Sequence, residues 1–520
     1  MACNQPSGYV DNASDTDDSE PYGAGIDCGT CTMQVVPPGE ETSGDYTSIQ
    51  DAIGAAPNGA VICVAEGHWT ETLNFVGKDV EVCGTAGADD TIIDGDGVGP
   101  VVRFTSGESA AAILRGFTIT GGDAADGAGI YIHQSSPTLQ DLIIAENTCG
   151  GGGTGEECHG VGLYISQASM HASRLVVRDN IAYHEGTYGY QQSRGGGIYA
   201  ISSTLDFSGL HVLDNIVQPH ANQSSEYDGV VVYGGGLYAE STEATISDGM
   251  FVGNTVTGTM SWFEETAILG SALYLRSGAG LTMSNVLFAD NVVDSSSFYS
   301  CAGTLYVNDT SLSLTNGIIA NNTSSCGSLT GGIAYLSSAT LSLSGVVLAG
   351  NTKLSSYDGS KETGGIASYS SSVTLRSCSF SDNIGNGSAL YQNGGSLTAT
   401  RNNFYGDMLF SGLSSPVGQQ GNISVEPGFI DVSASSGVDW DLHLTTSSDL
   451  IDAGSSSYSD PDSSATDIGA YGGQGADDWD LDWDDSPSWW QPGPYDASYT
   501  KDNLDCDDQD STVNATVGCP

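Results

Sequence analysis

Five aspartates crowd the end of this chain: Asp502, Asp505, Asp507, Asp508 and Asp510, closed by Cys506 and Cys519. Dense carboxylate oxygens at alternating spacing suit Ca²⁺, a hard cation that takes about six to eight of them. The segment lacks the glycine and the closing glutamate of an EF-hand loop, so the alternative is a solvated acidic tail. A second concentration is aromatic: Tyr183, Tyr188, Tyr190, Tyr233, Trp262 and Tyr299, with His184 and Glu185 among them. Aromatic rings with few basic neighbours suit sugar faces or protein partners. Catalysis on a polysaccharide would need more. A lyase of anionic sugars needs a Lys or Arg base beside carboxylates that hold Ca²⁺, and a hydrolase needs paired carboxylates at a set separation. Basic residues concentrate at Arg174, Arg178 and Arg194, and no esterase or glycosidase motif is legible. His184, Glu185 and Arg194 are the first residues to test for such chemistry, and the catalytic set is unknown. Coil stacking sets Arg174 over Asp141 as an inter-coil ion pair.

The elements that must position these groups are announced by a recurring phrase. GAGIY at 127–131 is followed by Asn147, VGLY at 161–164 by Asn180, GGGIY at 195–199 by Asn215 and GGGLY at 234–238 by Asn254. SALY at 271–274 precedes Asn291, GTLY at 303–306 Asn322, GGIAY at 331–335 Asn351, GGIA at 364–367 Asn383, and SALY at 388–391 Asp407. Self-similarity at a period of roughly 30–40 residues means a stack of like supersecondary units. In each unit an aliphatic residue alternates with Tyr, so Ile198 and Ala200 point inward and Tyr199 outward. Parallel strands about 4.8 Å apart then stack Ile130, Leu163, Leu237, Leu273 and Leu305 into an interior column. Tyr131, Tyr164, Tyr199, Tyr238, Tyr274 and Tyr306 form an outward ladder, with a structural stacking role as the plain alternative to ligand binding. The Asn is expected to take left-handed backbone and to bond within the stacked turn. Segments of variable length enter between each ladder Asn and the next Gly run, and insertions on one side of a solenoid mark its binding face.

An acidic column precedes the asparagines: Glu146, Asp179, Asp214, Gly253, Asp290, Asn321, Gly350 and Asp382. Like charges about 5 Å apart cost roughly 0.8 kcal/mol per pair even in water. The two glycines and Asn321 interrupt the run and relieve that repulsion. Over the 520 residues, 64 acidic against 12 basic side chains give a net charge of −52, which repels nucleic acid and anionic membranes. The 12 cysteines point to an oxidising compartment. Plausible neighbours are Cys149 with Cys158, Cys301 with Cys326, Cys63 with Cys83, and Cys506 with Cys519. No hydrophobic run approaches the roughly 20 residues that span a bilayer.

Residues 49–56 place Ile49, Ala52, Ile53 and Ala56 at helical spacing before Pro57, and apolar strand runs follow. This opening, with Gly67, Trp69 and Glu71 after the helix, resembles the N-terminal cap of pectate-lyase-like right-handed β-helices. The pairing of Gly-rich phrases with FVGN (251–254), FADN (288–291) and FSDN (380–383) resembles the repeat of the polymorphic outer-membrane protein family. That resemblance implies a surface-exposed or secreted β-helix used in adhesion, though the chain lacks the family's membrane β-barrel. DWDLHLTTSSDLIDAG (439–454) and TDIGAYGG (466–473) resemble closing segments of secreted bacterial β-helices, with Asp452 and Asp467 as turn caps. The tail motif is similar to Asp-rich metal-binding repeats of secreted bacterial proteins. Met1-Ala2-Cys3 resembles a bacterial lipoprotein start, with Cys3 as the lipid anchor or, alternatively, in a disulfide with Cys28 or Cys31.

The expected fold is all-β: a right-handed parallel β-helix solenoid with an N-terminal capping helix and an acidic, partly disordered C-terminal tail. Residues 1–44 form an acidic lead, 45–125 the cap and first coils, 126–410 a nine-coil repeat, 411–475 a final coil and cap, and 476–520 the tail. The expected function is export to the cell exterior or bacterial surface and binding of a cell-surface glycan or protein partner, with Ca²⁺ as the one expected cofactor. The alternative is a polysaccharide lyase or glycosidase.

Overall fold

The computed structural model describes residues 26–150, 157–184, 191–219, 230–258, 267–295, 300–326, 333–354, 363–385, 388–406, 410–455, 460 and 464–473. The described residues fall into two compact units, 26–245 with 254–279 (the N-terminal unit) and 246–253 with 280–473 (the C-terminal unit).

The N-terminal unit opens on the helix Ile49–Ala55, which buries Ile49, Ala52 and Ile53. Short helices leave their terminal backbone groups unpaired, and here side chains from later in the chain satisfy them. Glu71 accepts the backbone N–H groups of Ile49 (2.8 Å) and Gln50 (3.0 Å) and the Ser48 hydroxyl (2.9 Å). Lys78 Nζ donates to the carbonyls of Ile53 (2.8 Å) and Ala56 (2.9 Å) at the other end. The lead strand Met33–Val35 pairs in parallel with Val61–Val64. Cys63 and Cys83 do sit in register on neighbouring strands, but they are not bonded to each other. The lead segment brings a cysteine over each, giving Cys28–Cys83 and Cys31–Cys63. That corrects the Cys63/Cys83 pairing and removes Cys28 and Cys31 as partners for Cys3. Cys149 and Cys158 form the third disulfide.

From Ile130 onward the coils of this unit share the same parts. A four-residue strand carries the tyrosine, as in Ile198–Ile201, and a long strand follows, Thr204–Leu213. A third strand, Ile216–Pro219, completes the turn, and a fourth, Val230–Tyr233, leads into the next glycine run. Neighbouring coils pair in parallel with no slip: Leu163 lies beside Ile198, and Ile198 beside Leu237. Interior side chains such as Ile165, Ile198, Ala200 and Leu210 are wholly buried, so the core is a narrow continuous column. The glycine run has two distinct reasons. Gly195 sits at φ +68, and a Cβ on Gly197 would lie 3.0 Å from the ladder amide of Asn215.

The asparagines form an amide ladder that is fully buried from Asn147 to Asn351. In the N-terminal unit, Asn180 Oδ1 accepts both the backbone N–H (3.1 Å) and the Nδ2 (3.0 Å) of Asn147. Asn215 does the same for Asn180, and Asn254 for Asn215. Each Nδ2 also donates to a strand carbonyl of the preceding coil, as from Asn215 to Val177 at 2.8 Å. One expectation is corrected: the left-handed residue is not the asparagine but the one before it, at φ 55 in Asp179 and φ 50 in Asp214.

The C-terminal unit repeats the coil with its own ladder, Asn291 to Asn322 to Asn351 to Asn383. Stacked phenylalanines, Phe251 on Phe288 and Phe380 on Phe404 with centroids 5.0 Å apart, fill its interior. A second amide ladder, absent from the repeat phrase, joins Cys378 N–H to Asn402 and Asn402 to Asn422. Asp407 lies outside the described residues. Ser435, Ser436, Gly437 and Gly469 lie back against the coils of this unit. Asp290 accepts the Ser436 hydroxyl (2.6 Å) and the Gly437 N–H (2.9 Å), and Gly469 N–H donates to the Ser377 carbonyl (3.0 Å).

Candidate functional site

The variable segments enter where the sequence places them, between the third and fourth strands of a coil. In the N-terminal unit they link Ile181–His184 to Gln191–Arg194, Ile216–Pro219 to Val230–Tyr233, and Thr255–Gly258 to Ala267–Leu269. Glu185, Tyr188, Tyr190, Trp262 and Tyr299 belong to segments outside the described residues, as do Asp502, Asp505, Asp507, Asp508, Asp510, Cys506, Cys519 and Cys3. For His184, Cys301 and Cys326 the backbone strand is described and the side chain is not. Tyr183 is half-buried on its strand. Arg194, Tyr199, Tyr233, Tyr238 and Tyr274 are brought together.

Their arrangement rests on the residue that ends each fourth strand. His159, Arg194, Tyr233 and Leu269 lie side by side in parallel register, each just before a glycine run. The sharp turn at the glycine lets His159, Arg194 and Tyr233 reach over the tyrosine of the next coil. The His159 ring lies 5.0 Å from that of Tyr199, the Arg194 guanidinium 5.9 Å from the centroid of Tyr238, and the Tyr233 ring 4.5 Å from Tyr274. Such a cation over a ring face is an attractive contact in its own right.

Beneath this row the tyrosines stack face to face. Centroids are 4.9 Å apart for Tyr131 and Tyr164, 5.3 Å for Tyr164 and Tyr199, 5.0 Å for Tyr199 and Tyr238, and 5.0 Å for Tyr238 and Tyr274. Each inner ring therefore has a tyrosine on either side. Tyr199, Tyr238 and Tyr274 are also buried, at 5%, 0% and 4% exposure. The outward reading of these three rings is thus corrected: they turn away from the aliphatic core but are roofed by the fourth-strand row. Burial pushes the Tyr199 phenol up to about 12, partly offset by the Arg194 charge. Burial also raises Tyr238, reinforced by Glu240, whose carboxylate accepts the Tyr238 hydroxyl at 2.6 Å. Neither phenol can serve as a base near neutral pH.

The polar groups left at the surface form one connected cluster. His159 Nδ1 lies 2.8 Å from Asp126 Oδ1, and its Nε2 lies 3.2 Å from Glu157 Oε2 and 3.4 Å from Arg194 Nη1. Arg194 also donates to the Gln192 side-chain carbonyl. Nδ1 thus faces a carboxylate, while Nε2 faces both a carboxylate and a guanidinium, and the roles of the two ring nitrogens depend on the tautomer. The Cys149–Cys158 bridge closes the segment that delivers Glu157 beside the histidine. A carboxylate-oriented imidazole beside a guanidinium can hold an anion or move a proton. Sequence reading found Arg194 but missed His159, Asp126 and Glu157. The available signal was a fixed position, the residue before each glycine run, filled by changing residue types.

Arg276 joins from the next coil, 3.8 Å from Glu240, whereas Arg174 and Arg178 do not. Arg174 pairs with Asp141 at 2.5 Å across coils, and Arg178 with Asp179 at 2.9 Å. A second group of ionisable residues lies in the C-terminal unit. Asp467 Oδ1 accepts Asp452 N–H (2.7 Å), Asp452 accepts Ala465 N–H (3.1 Å), and Asp460 accepts Asp467 N–H (2.9 Å) and Gly473 N–H (2.6 Å). Burial, with the charges of Asp460 and Asp452, lifts the Asp467 carboxyl to about 7. At 3% exposure Asp467 meets no substrate; it closes turns. Among the described residues no group of three or more His, Cys, Asp or Glu side chains is placed to hold a metal ion.

A family model described as a right-handed β-helix region matches residues 228–426. Together with the parallel, in-register coils this defines the molecule as a right-handed parallel β-helix. Among solved structures it is similar to the pectate lyase Pel9A, at 14% identity and TM-score 0.40, over 86% of this chain and 98% of that one. It is also similar to the pectin methylesterase from carrot, at 10% identity and TM-score 0.25, over 77% and 89%. Comparison with curated proteins gave no match. The three disulfides among the described residues are of the kind that forms in oxidising compartments.

Proposed function

We propose that this is an exported bacterial surface β-helix that binds a cell-surface glycan or protein partner through the corner where its variable segments enter, without catalysing a reaction. The observation that carries the reading is the fourth-strand row of the N-terminal unit. Arg194, Tyr233 and the tyrosines beneath are engaged with one another, so they build a rigid rim and leave contact with a partner to the segments that rim supports. The aromatic content of those segments suits sugar rings or a protein surface. Ca²⁺ held by Asp502, Asp505, Asp507, Asp508 and Asp510 would add a rigid terminal site, and Cys3 a lipid anchor at the outer membrane.

A second reading, a polysaccharide lyase or glycosidase, is favoured by the imidazole–carboxylate pair of His159 and Asp126 beside Arg194. A glycan array run with and without EDTA, alongside reducing-end and unsaturated-product assays, separates the two. Saturable binding without product is the expected result, and turnover that His159→Ala abolishes would establish the enzyme instead.

A further inference from the structure

The long strands of the C-terminal unit carry a surface apart from the tyrosine ladder. Their first halves alternate buried aliphatic residues with outward hydroxyls, as in SLSLT from Ser311 and TLSLS from Thr340. Unbroken parallel register sets Thr282, Ser313, Ser342, Thr374 and Thr398 side by side. The outward positions two residues before and after this row are again Ser or Thr, save for Gly280 and Arg376 at its corners. Neighbouring strands stand about 4.8 Å apart, and successive outward positions about 6.6 Å apart along a strand. The hydroxyls therefore repeat in two directions. Leu312, Leu314, Leu341, Leu343 and Leu375, each at most 2% exposed, fix the strands from below.

The array is also free of carboxylates, in a chain with 64 acidic residues and a net charge of −52. The corresponding strands of the N-terminal unit place His171, Asp206 and Glu243 outward, with His171 and Asp206 paired at 3.2 Å. Absence of carboxylates is thus particular to this face and not a habit of the repeat.

Three occupants can be compared. A second copy of the chain would bury only about 400 Å² per protomer on five strands of five residues, against the roughly 800 Å² per partner of a stable interface. A single mobile glycan would exchange each water bond for an equivalent one and find no aromatic platform to stack on. A neutral solid whose oxygens are themselves periodic in two dimensions meets all the hydroxyls at once, and weak contacts on one rigid body then sum. Ice is such a solid. Lattice oxygens on its prism faces repeat at comparable spacings, it excludes ions, and a charged side chain would keep its own hydration shell. We propose that the Ser/Thr face of the C-terminal unit binds ice. This does not depend on the partner bound by the variable segments.

The test freezes a dilute solution of the full chain slowly onto a cold finger and measures its partition into the ice, with single ice crystals viewed in parallel. Enrichment in the ice and faceted crystals are expected, with loss of both in a variant carrying Ser342→Lys and Thr374→Lys. Both side chains point outward and are half-buried, and the two ammonium groups would stand on paired strands, so the variant should melt slightly below the parent but still as a folded protein. Ser173→Lys, at a corresponding place in the N-terminal unit, should leave partition unchanged. Exclusion of the parent chain to the level of an inert globular protein would overturn the proposal, and so would full retention by the double-lysine variant. Binding to microcrystalline cellulose that the variant loses, without partition into ice, would overturn it in favour of a polysaccharide.

Discussion

Both units turn the same corner with left-handed backbone before each ladder asparagine, yet they load that position differently. In the N-terminal unit it holds Glu146, Asp179 and Asp214, at φ 55, 55 and 50. In the C-terminal unit Asp290, Asn321 and Gly350 have become a seat. Asp290 takes the Ser436 hydroxyl and the Gly437 N–H, and Asn321 Nδ2 donates to Asp290 (2.6 Å) and to the Ser435 carbonyl (2.9 Å). Gly350 makes room for Trp440: a Cβ there would lie 2.2 Å from the indole. In the sequence these interruptions look like relief of charge repulsion. In the folded chain Asn321 and Gly350 are where the returning C-terminal segment docks. Equivalent repeat positions share a backbone, and their chemistry is set by whatever packs on them.

The largest expected effect tests what the units share. Asn215→Ala and Asn322→Ala each strip a buried amide and leave ladder N–H and carbonyl groups unpaired. Each should cost roughly 3 kcal/mol, read as a lower midpoint in urea unfolding. A near-neutral result in either unit would mean that stacking strands, not the amide ladder, hold its corners. Asp290→Ala against Glu146→Ala probes the difference. The first removes several charge-assisted bonds and should cost about 2 kcal/mol, with faster amide exchange at Gly437. The second removes an exposed carboxylate and should stay within about 0.5 kcal/mol. Equal effects would dissolve the contrast.

In pH dependence the units carry opposite signs. Asp467, lifted to about 7 from 3.8, binds its proton more tightly folded than unfolded. Its contribution is fully present below about 4 and is lost as pH rises through 7. Glu108, in the N-terminal unit, is lowered: burial raises it, but the Ser135 hydroxyl and the Ser106 and Gly77 N–H groups outweigh that. Its contribution is present above 4.5 and is lost as pH falls. Asp467→Asn should therefore flatten the decline in melting temperature between about pH 4 and 7, and Glu108→Gln the decline in acid. A steeper neutral decline in Asp467→Asn would reverse the assignment.

The coils were legible in the sequence because their cause is local and repeated. Alternation fixes which side chains enter the core, glycine fixes the corner, and the fixed offset to Asn fixes the ladder. The helical cap was legible for the same reason. Local reading failed where a neighbouring coil or a distant segment intervened. It assigned left-handed backbone to Asn180 when Asp179 takes it, because an amide that must face both ladder neighbours stays in the ordinary region. It turned Tyr199, Tyr238 and Tyr274 to solvent because nothing in one repeat shows that His159, Arg194 and Tyr233 fold over the next.

The sequence by itself determined a stack of parallel coils with a buried aliphatic column, an asparagine corner and a side where insertions enter. The tertiary structure alone decided the disulfide partners of the lead segment, the roof over the tyrosines and the seat on Asp290. The physical reason is range. A coil's own geometry is set within one repeat and copied by stacking, whereas Asp290 meets Gly437 across 147 residues and Cys28 meets Cys83 across 55. Contacts at that distance leave no periodic trace in the sequence.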